Sequence, residues 1–266
     1  MHHGADYFRR WHGRMNKGGS LWVHKATHHF DLLNWWLNSE PVEVSAYGSL
    51  EHYGKNNAFR GTKCRGCEHK PNCKFYWDIT ANKQNVNLYV NNEQHDGYIR
   101  DGCVWSNEID IFDKMSAQII YANGVTVNYS LTTYSPYEGW QIAFNGMKGR
   151  IETWEDIPYL QKTKVDEEKR HAIEMSNADD AIAGEAHEIL AWDNFGKDFE
   201  IYTTPKIRGG HGGGDIRMQK RMFVDPNDNP HHVMAGTRDG AMSILIGIAA
   251  RKSIALKRPV KISELS

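Results

Sequence analysis

The Asn123-Gly124 dipeptide limits what this chain can fold into more than any other feature. It stands between two runs of alternating apolar and polar residues, Ser116–Tyr121 and Val125–Tyr134. Asn-Gly accepts the left-handed backbone that a tight hairpin turn demands, so the flanking runs are expected to pair antiparallel. A second pair, Trp140–Asn145 and Arg150–Trp154, is joined by Gly146-Met147-Lys148-Gly149, and Phe199–Thr204 reads as a fifth strand. Upstream, Val42–Tyr53 alternates through Val42, Val44 and Ala46, as a strand with one buried face does.

Helical spacing marks three further segments. Ser20–Leu37 carries Phe30, Leu33, Trp36 and Leu37 at helical intervals, Asp215 can cap a short helix to Phe223, and Thr237–Leu256 is the last long helix. Strands in succession followed by terminal helices predict an α+β fold, a large and mostly antiparallel open sheet covered by helices. Gly54–Asn107 breaks the rhythm and holds all four cysteines; it is expected to be a lobe, at about 54–107, inserted in a single domain of residues 1–266. Glu155–Lys197 is charged and poorly periodic, which leaves its structure open.

Composition narrows the partners. With 32 Lys plus Arg against 33 Asp plus Glu, no basic excess exists to neutralise a phosphate backbone, which argues against nucleic acid. The longest apolar run, Ala241–Ala250, falls short of the roughly 20 residues a bilayer requires, which argues against a membrane span. The first residues, Met1-His2-His3-Gly4-Ala5-Asp6, have no signal-peptide character, and a cytoplasmic protein is expected.

The densest polar cluster is His24-Lys25-Ala26-Thr27-His28-His29-Phe30-Asp31. In one continuous helix His24, His28, Asp31 and Trp35 share a face. A histidine there can take a proton from an alcohol, Lys25 can steady a developing alkoxide, and Asp31 can orient an imidazole. The His-x3-His spacing also suits a metal, although Lys25 stands where a zinc protease carries its catalytic glutamate. Near the start, Asp6-Tyr7-Phe8-Arg9-Arg10-Trp11-His12 mixes aromatic rings with polar ends as sugar sites do, with Arg10 and His12 as hydroxyl ligands. Gly209–Asp215 lacks a phosphate-loop ending, and His211 and Asp215 are expected to bind hydroxyls as well. Cys64-x2-Cys67-x5-Cys73, with Cys103 far downstream, offers the ligand set of a structural zinc, ahead of an iron–sulfur cluster. Ordinary thiols, or disulfides in an oxidising compartment, are the alternatives.

Gly18 through Asp31 resembles the segment that opens the first helix of the C-terminal domain in the glucose-fructose oxidoreductase / inositol dehydrogenase / rhizopine-catabolism family. The resemblance continues through Gly209–Asp215, Arg238–Ser243 and Pro259–Ile262. It implies that His28 is the acid/base for a sugar hydroxyl, with His24 where the family usually has an aspartate. It also implies NAD or NADP bound mainly by an N-terminal Rossmann domain that this stretch lacks, and homo-oligomers joined through the open sheet. The chain is thus expected to be the substrate-binding part of an oxidoreductase acting on a sugar, cyclitol or glycoside, inactive alone. A metal-dependent lyase or isomerase using His24 and His28, or a non-catalytic carbohydrate-binding module, are the other expectations.

Overall fold

A computed structural model describes residues 4–160, 181–227, 229 and 231–265. The chain divides into two compact units, residues 1–136 with 235–266, and residues 137–234. Among the described residues no helix is long and apolar enough to cross a membrane.

The first unit is built on β1 (Pro41–Ser49), β2 (Lys114–Tyr121), β3 (Thr126–Thr132) and the short β8 (Val260–Lys261), in the order β3-β2-β1-β8 and antiparallel throughout. The hairpin forms where Asn123-Gly124 predicts it: Gly124 has φ +85°, and the Tyr121 N–H donates to the Val125 carbonyl. Met115, Ala117, Ile119 and Tyr121 on β2 and Val44 and Ala46 on β1 turn to one face and are buried.

Helix α8 (Thr237–Leu256) covers that face; Ser253 Oγ accepts the Ala46 N–H at 3.0 Å. It crosses close to the chain at Trp22, where Gly247 is required. A Cβ at 247 would sit within the van der Waals shell of the Trp22 carbonyl oxygen.

The expected helix Ser20–Leu37 is two. After α1 (Ala5–Phe8) and α2 (Met15–Gly18), α3 runs only Leu21–His24, and α4 is Thr27–Leu37. The Ala26 N–H reaches back five residues to the Leu21 carbonyl at 2.8 Å, and this widened turn breaks the register. His24, His28, Asp31 and Trp35 therefore do not share one continuous helical face.

The polar stretch 54–107 holds short helices, among them α5 (Lys83–Leu88) and α6 (Glu93–Asp96), and one isolated antiparallel bridge, Lys63 with Gly102. Its entry is pinned by Asp113. That wholly buried carboxylate accepts the N–H groups of Glu51, His52 and Tyr53 at 2.9, 2.7 and 2.9 Å.

The second unit carries β4 (Trp140–Asn145), β5 (Gly149–Glu155), β6 (Ala181–Asp193) and β7 (Phe199–Ile207), again antiparallel in chain order. Strand β6 lies inside the charged stretch 155–197, whose sequence gives no period for it; residues 161–180 of that stretch lie outside the described residues. Helix α7 (Gly214–Phe223) has Gly213, not Asp215, at its N-cap; Asp215 sits in its first turn.

Candidate functional site

Short helices separated by left-handed turns at Gly19 and Ser20 fold residues 5–28 back on themselves, and this brings two separated histidines together. The His12 and His24 ring centroids are 4.5 Å apart, Trp11 stacks on His12 at 3.7 Å, and Tyr7 lies 5.1 and 5.6 Å from the two imidazoles. Arg10 and His12, expected as ligands, thus join His24 and Lys25, expected as catalytic groups, around one cluster.

Its electrostatics keep the imidazoles neutral. Burial, reinforced by Arg10, His24 and Lys25, pushes His12 down to about 4. Burial and then Lys25, Arg10 and His28 lower His24 too. Tyr7 is pushed up to about 12, chiefly by burial, so it remains a phenol. Neutral imidazoles and a phenol both donate and accept hydrogen bonds, as sugar hydroxyls do.

Three of these groups offer buried polar atoms. Tyr7 Oη, His12 Nδ1 and His24 Nδ1 are shielded from solvent and have no hydrogen-bond partner among the described residues. Leaving such an atom unpaired costs about 1–3 kcal/mol.

His28 is exposed beyond the helix break, and its charge still acts on both His24 and Asp31. Burial first, then Asp239, raises the Asp31 carboxyl, while His28 opposes the rise. His29 is turned away: its Nδ1 shares a 2.8 Å hydrogen bond with Tyr129 Oη. Among the described residues no third ligand joins His24 and His28 in a metal-binding group.

In the second unit, His211 Nδ1 and Asp215 Oδ1 are 2.8 Å apart and bonded to each other. The loop that carries them is a run of left-handed residues, with φ +101° at Gly209, +52° at His211, +63° at Gly212 and +78° at Gly213. It curls around its own carboxylate so closely that a Cβ at Gly210 would strike Asp215. The residues do not fit a dinucleotide, because a pyrophosphate entering this loop would meet that carboxylate.

Cys64, Cys67, Cys73 and Cys103 all line one small cavity together with Arg9, Phe75 and Trp105, although among the described residues they are not gathered into a metal-binding group. Burial pushes the Cys103 thiol up.

The profile of the oxidoreductase family, C-terminal alpha/beta domain, matches residues 2–262. The chain belongs to this family. The oxidoreductase-family chain is 33% identical over 278 residues to a protein of Bacillus subtilis (strain 168) provisionally named oxidoreductase YteT, covering 99% of this chain and 60% of that one.

In fold it is similar to an oxidoreductase of Desulfitobacterium hafniense DCB-2, provisionally assigned as NADPH-dependent, with TM-score 0.53 and 12% identity over 96% of this chain and 51% of that one. It is also similar to levoglucosan dehydrogenase solved with NADH and L-sorbose, with TM-score 0.51 and 15% identity over 95% of this chain and 52% of that one. The chain therefore spans about half to three-fifths of the length of these relatives.

One group at the rim of this family member's cluster had no sequence signal. Arg100, from the lobe, pairs with Asp6 at 2.6 Å and lies over the Trp77 ring at 5.1 Å. Asp6 also approaches Arg10 at 3.7 Å. Only the fold of the lobe brings position 100 to position 6.

Proposed function

We propose that this chain carries the substrate-binding part of an NAD(P)-dependent oxidoreductase that acts on a hydroxyl of a sugar, cyclitol or glycoside. The observation that carries the proposal is the grouping of Tyr7 Oη, His12 Nδ1 and His24 Nδ1, buried and unpaired side by side. Such a group suits a ligand with several hydroxyls on one small frame, and Trp11 supplies a ring against which its C–H face can lie.

His28 is the proposed proton acceptor. It is exposed and lies within electrostatic reach of both His24 and Asp31, and an imidazole can accept a hydroxyl proton as a general base. Lys25 is the proposed cation that steadies the alkoxide as the hydroxyl proton leaves. His24 and Asp31 orient His28, and Arg10 and His12 hold neighbouring hydroxyls. The dinucleotide, when bound, accepts the hydride; it is held mainly by polypeptide outside these 266 residues, which by themselves turn over no substrate. Levoglucosan dehydrogenase, among the relatives in fold, is a sugar dehydrogenase by name, which favours a sugar or polyol. Self-association is assigned to the second unit's sheet, where Ile151, Phe199, Ile201 and Tyr202 are exposed.

Two measurements test the proposal. Calorimetric titration of this chain with aldoses, polyols and glycosides should detect binding in the absence of NADH. In a full-length form that carries the dinucleotide domain, His28→Ala should nearly abolish turnover while sugar binding survives. Retained turnover would refute the role of His28, and binding with no turnover in any full-length form would instead identify a carbohydrate-binding module.

A further inference from the structure

The lobe at 54–107 poses a problem that its own composition does not solve. About half of its residues are exposed, and its backbone is a series of turns and helices of three to six residues. Its buried aliphatic and aromatic residues, Ile79, Val104 and Trp105, lie outside the stretch 80–100, which is left with little buried apolar surface to offset the entropy of ordering it. Yet it delivers Arg100 to the cluster around His12, so something else must hold it.

Four cysteines of the lobe line one cavity and could do so. The Lys63–Gly102 bridge lays two extended segments side by side, with Cys64 N donating to the Asp101 carbonyl at 2.9 Å and Cys103 N to the Thr62 carbonyl at 3.1 Å. Cys64 and Cys103 therefore start from adjacent strands. Between Cys64 and Cys67 the chain makes a tight knuckle, closed by Cys67 N to the Cys64 carbonyl at 3.1 Å, with Gly66 at φ +71°. Arg65, inside the knuckle, is clamped to the wholly buried Asp101 carboxylate by its backbone N–H at 2.9 Å and by its guanidinium at 2.8 Å. Cys73 completes the set from the turn after Lys70–Asn72.

Charge and size then identify the occupant. Arg9 is 5% exposed, and its Nη1 donates to Cys64 Sγ and to the Gly102 carbonyl, each at 3.1 Å, while Nη2 donates to the Phe75 carbonyl. None of these acceptors is a carboxylate. A buried guanidinium with no carboxylate partner is poorly compensated, whereas four thiolates around a divalent cation carry two net negative charges beside it. The Gly61 N–H also points at Cys103 Sγ, at 3.4 Å, as outer donors to metal thiolates do. The cavity measures about 20 Å³, close to the roughly 10–15 Å³ that one water-sized sphere needs, and so takes a single ion rather than a four-iron cluster.

We propose that Cys64, Cys67, Cys73 and Cys103 form a tetrahedral tetrathiolate site for one Zn2+ ion, which ties the lobe together and to the Arg9 segment. Among the described residues no ligand group is already gathered to hold a metal, so binding draws the sulfurs inward by rotation about their Cα–Cβ bonds. Each thiol that coordinates releases its proton to solvent, and no redox step is involved.

The test uses the whole chain purified without chelator. Elemental analysis should find one zinc per chain, and replacement by Co2+ should give the intense sulfur-to-cobalt charge-transfer band and visible bands of a tetrahedral tetrathiolate. Cys73→Ser should lose the ion or shift the cobalt spectrum to three thiolates. Arg9→Met should weaken Zn2+ binding roughly 10–100-fold, the usual cost of removing an outer-shell partner. Should Cys73→Ser fail to fold, the wild-type cobalt spectrum decides alone, because its intensity reports the number of thiolates. Iron with acid-labile sulfide, a mass lower by the hydrogens of one or two disulfides, or metal content that ignores the cysteine substitutions would each overturn the site.

Discussion

His12 and His24 face each other with ring centroids 4.5 Å apart and planes tilted by 48°, although eleven residues separate them in the chain. Two imidazoles this close, with Arg10 and Lys25 nearby, cannot both be charged. His12 holds out against protonation until about 4 in the folded chain, below its ordinary value of 6.5. The unfolded chain therefore binds the extra proton first. Stability is unaffected by this group above pH 6.5, falls as the pH drops from 6.5 to about 4, and levels off below that. At about 1.4 kcal/mol per pH unit over about 2.5 units the total is at most about 3.5 kcal/mol. Urea midpoints measured between pH 7 and pH 4 should fall in the wild type and fall markedly less in His12→Gln. Parallel curves would show that His12 is not the group responsible.

The hairpins were legible because their signals are local. Asn123-Gly124 and Gly146–Gly149 specify turns irrespective of what packs on them, and β2, β3, β4 and β5 follow within about two residues of the expected bounds. Thr237–Leu256 is likewise a helix over the expected span. The break between α3 and α4 was not legible, because no Gly or Pro lies between Leu21 and Leu37 to announce it. Its origin is tertiary: α8 presses Gly247 onto the Trp22 carbonyl, and the chain widens into the Ala26-to-Leu21 turn just beyond. The same limit applies to the site. Spacing alone placed His24 beside His28 on one helix, whereas the partner of His24 in space is His12, supplied by a turn at Gly19 and Ser20 whose direction the pattern does not encode. Strand β6 escaped notice for a different reason. Glu185, His187 and Glu188 interrupt its apolar residues, so no period of two emerges from Ala181–Asp193.

Two glycines of α8 provide a control for that account of the break. Gly240 has nothing within 4 Å of where a Cβ would be, whereas at Gly247 the Cβ would collide with the Trp22 backbone. Alanine is the better helix former by up to about 1 kcal/mol, so Gly240→Ala should leave stability unchanged or raise it. Gly247→Ala should destabilise by about 1–3 kcal/mol, because the collision is with backbone that cannot rotate aside. It should also move the α3–α4 turn and with it His24, so sugar affinity should fall together with the melting temperature. Equal melting temperatures for the two variants would mean that α8 does not hold the break.

The decisive substitution for the hydroxyl site is Tyr7→Phe, because it separates ligand binding from stability. The Tyr7 ring is 6% exposed and packs against His12 and His24, contacts that phenylalanine keeps. What is lost is one buried hydroxyl with no partner among the described residues. Removing an unsatisfied buried hydroxyl is neutral or stabilising, by up to about 1–3 kcal/mol, so the melting temperature of the free protein should hold or rise. If that hydroxyl receives a substrate hydroxyl, the same variant should bind sugar about tenfold more weakly, the equivalent of about 1.4 kcal/mol. Calorimetric melting and sugar titration on one preparation check both. Opposite movements of stability and affinity are expected; a joint fall would mean that the Tyr7 hydroxyl serves the fold instead of the ligand.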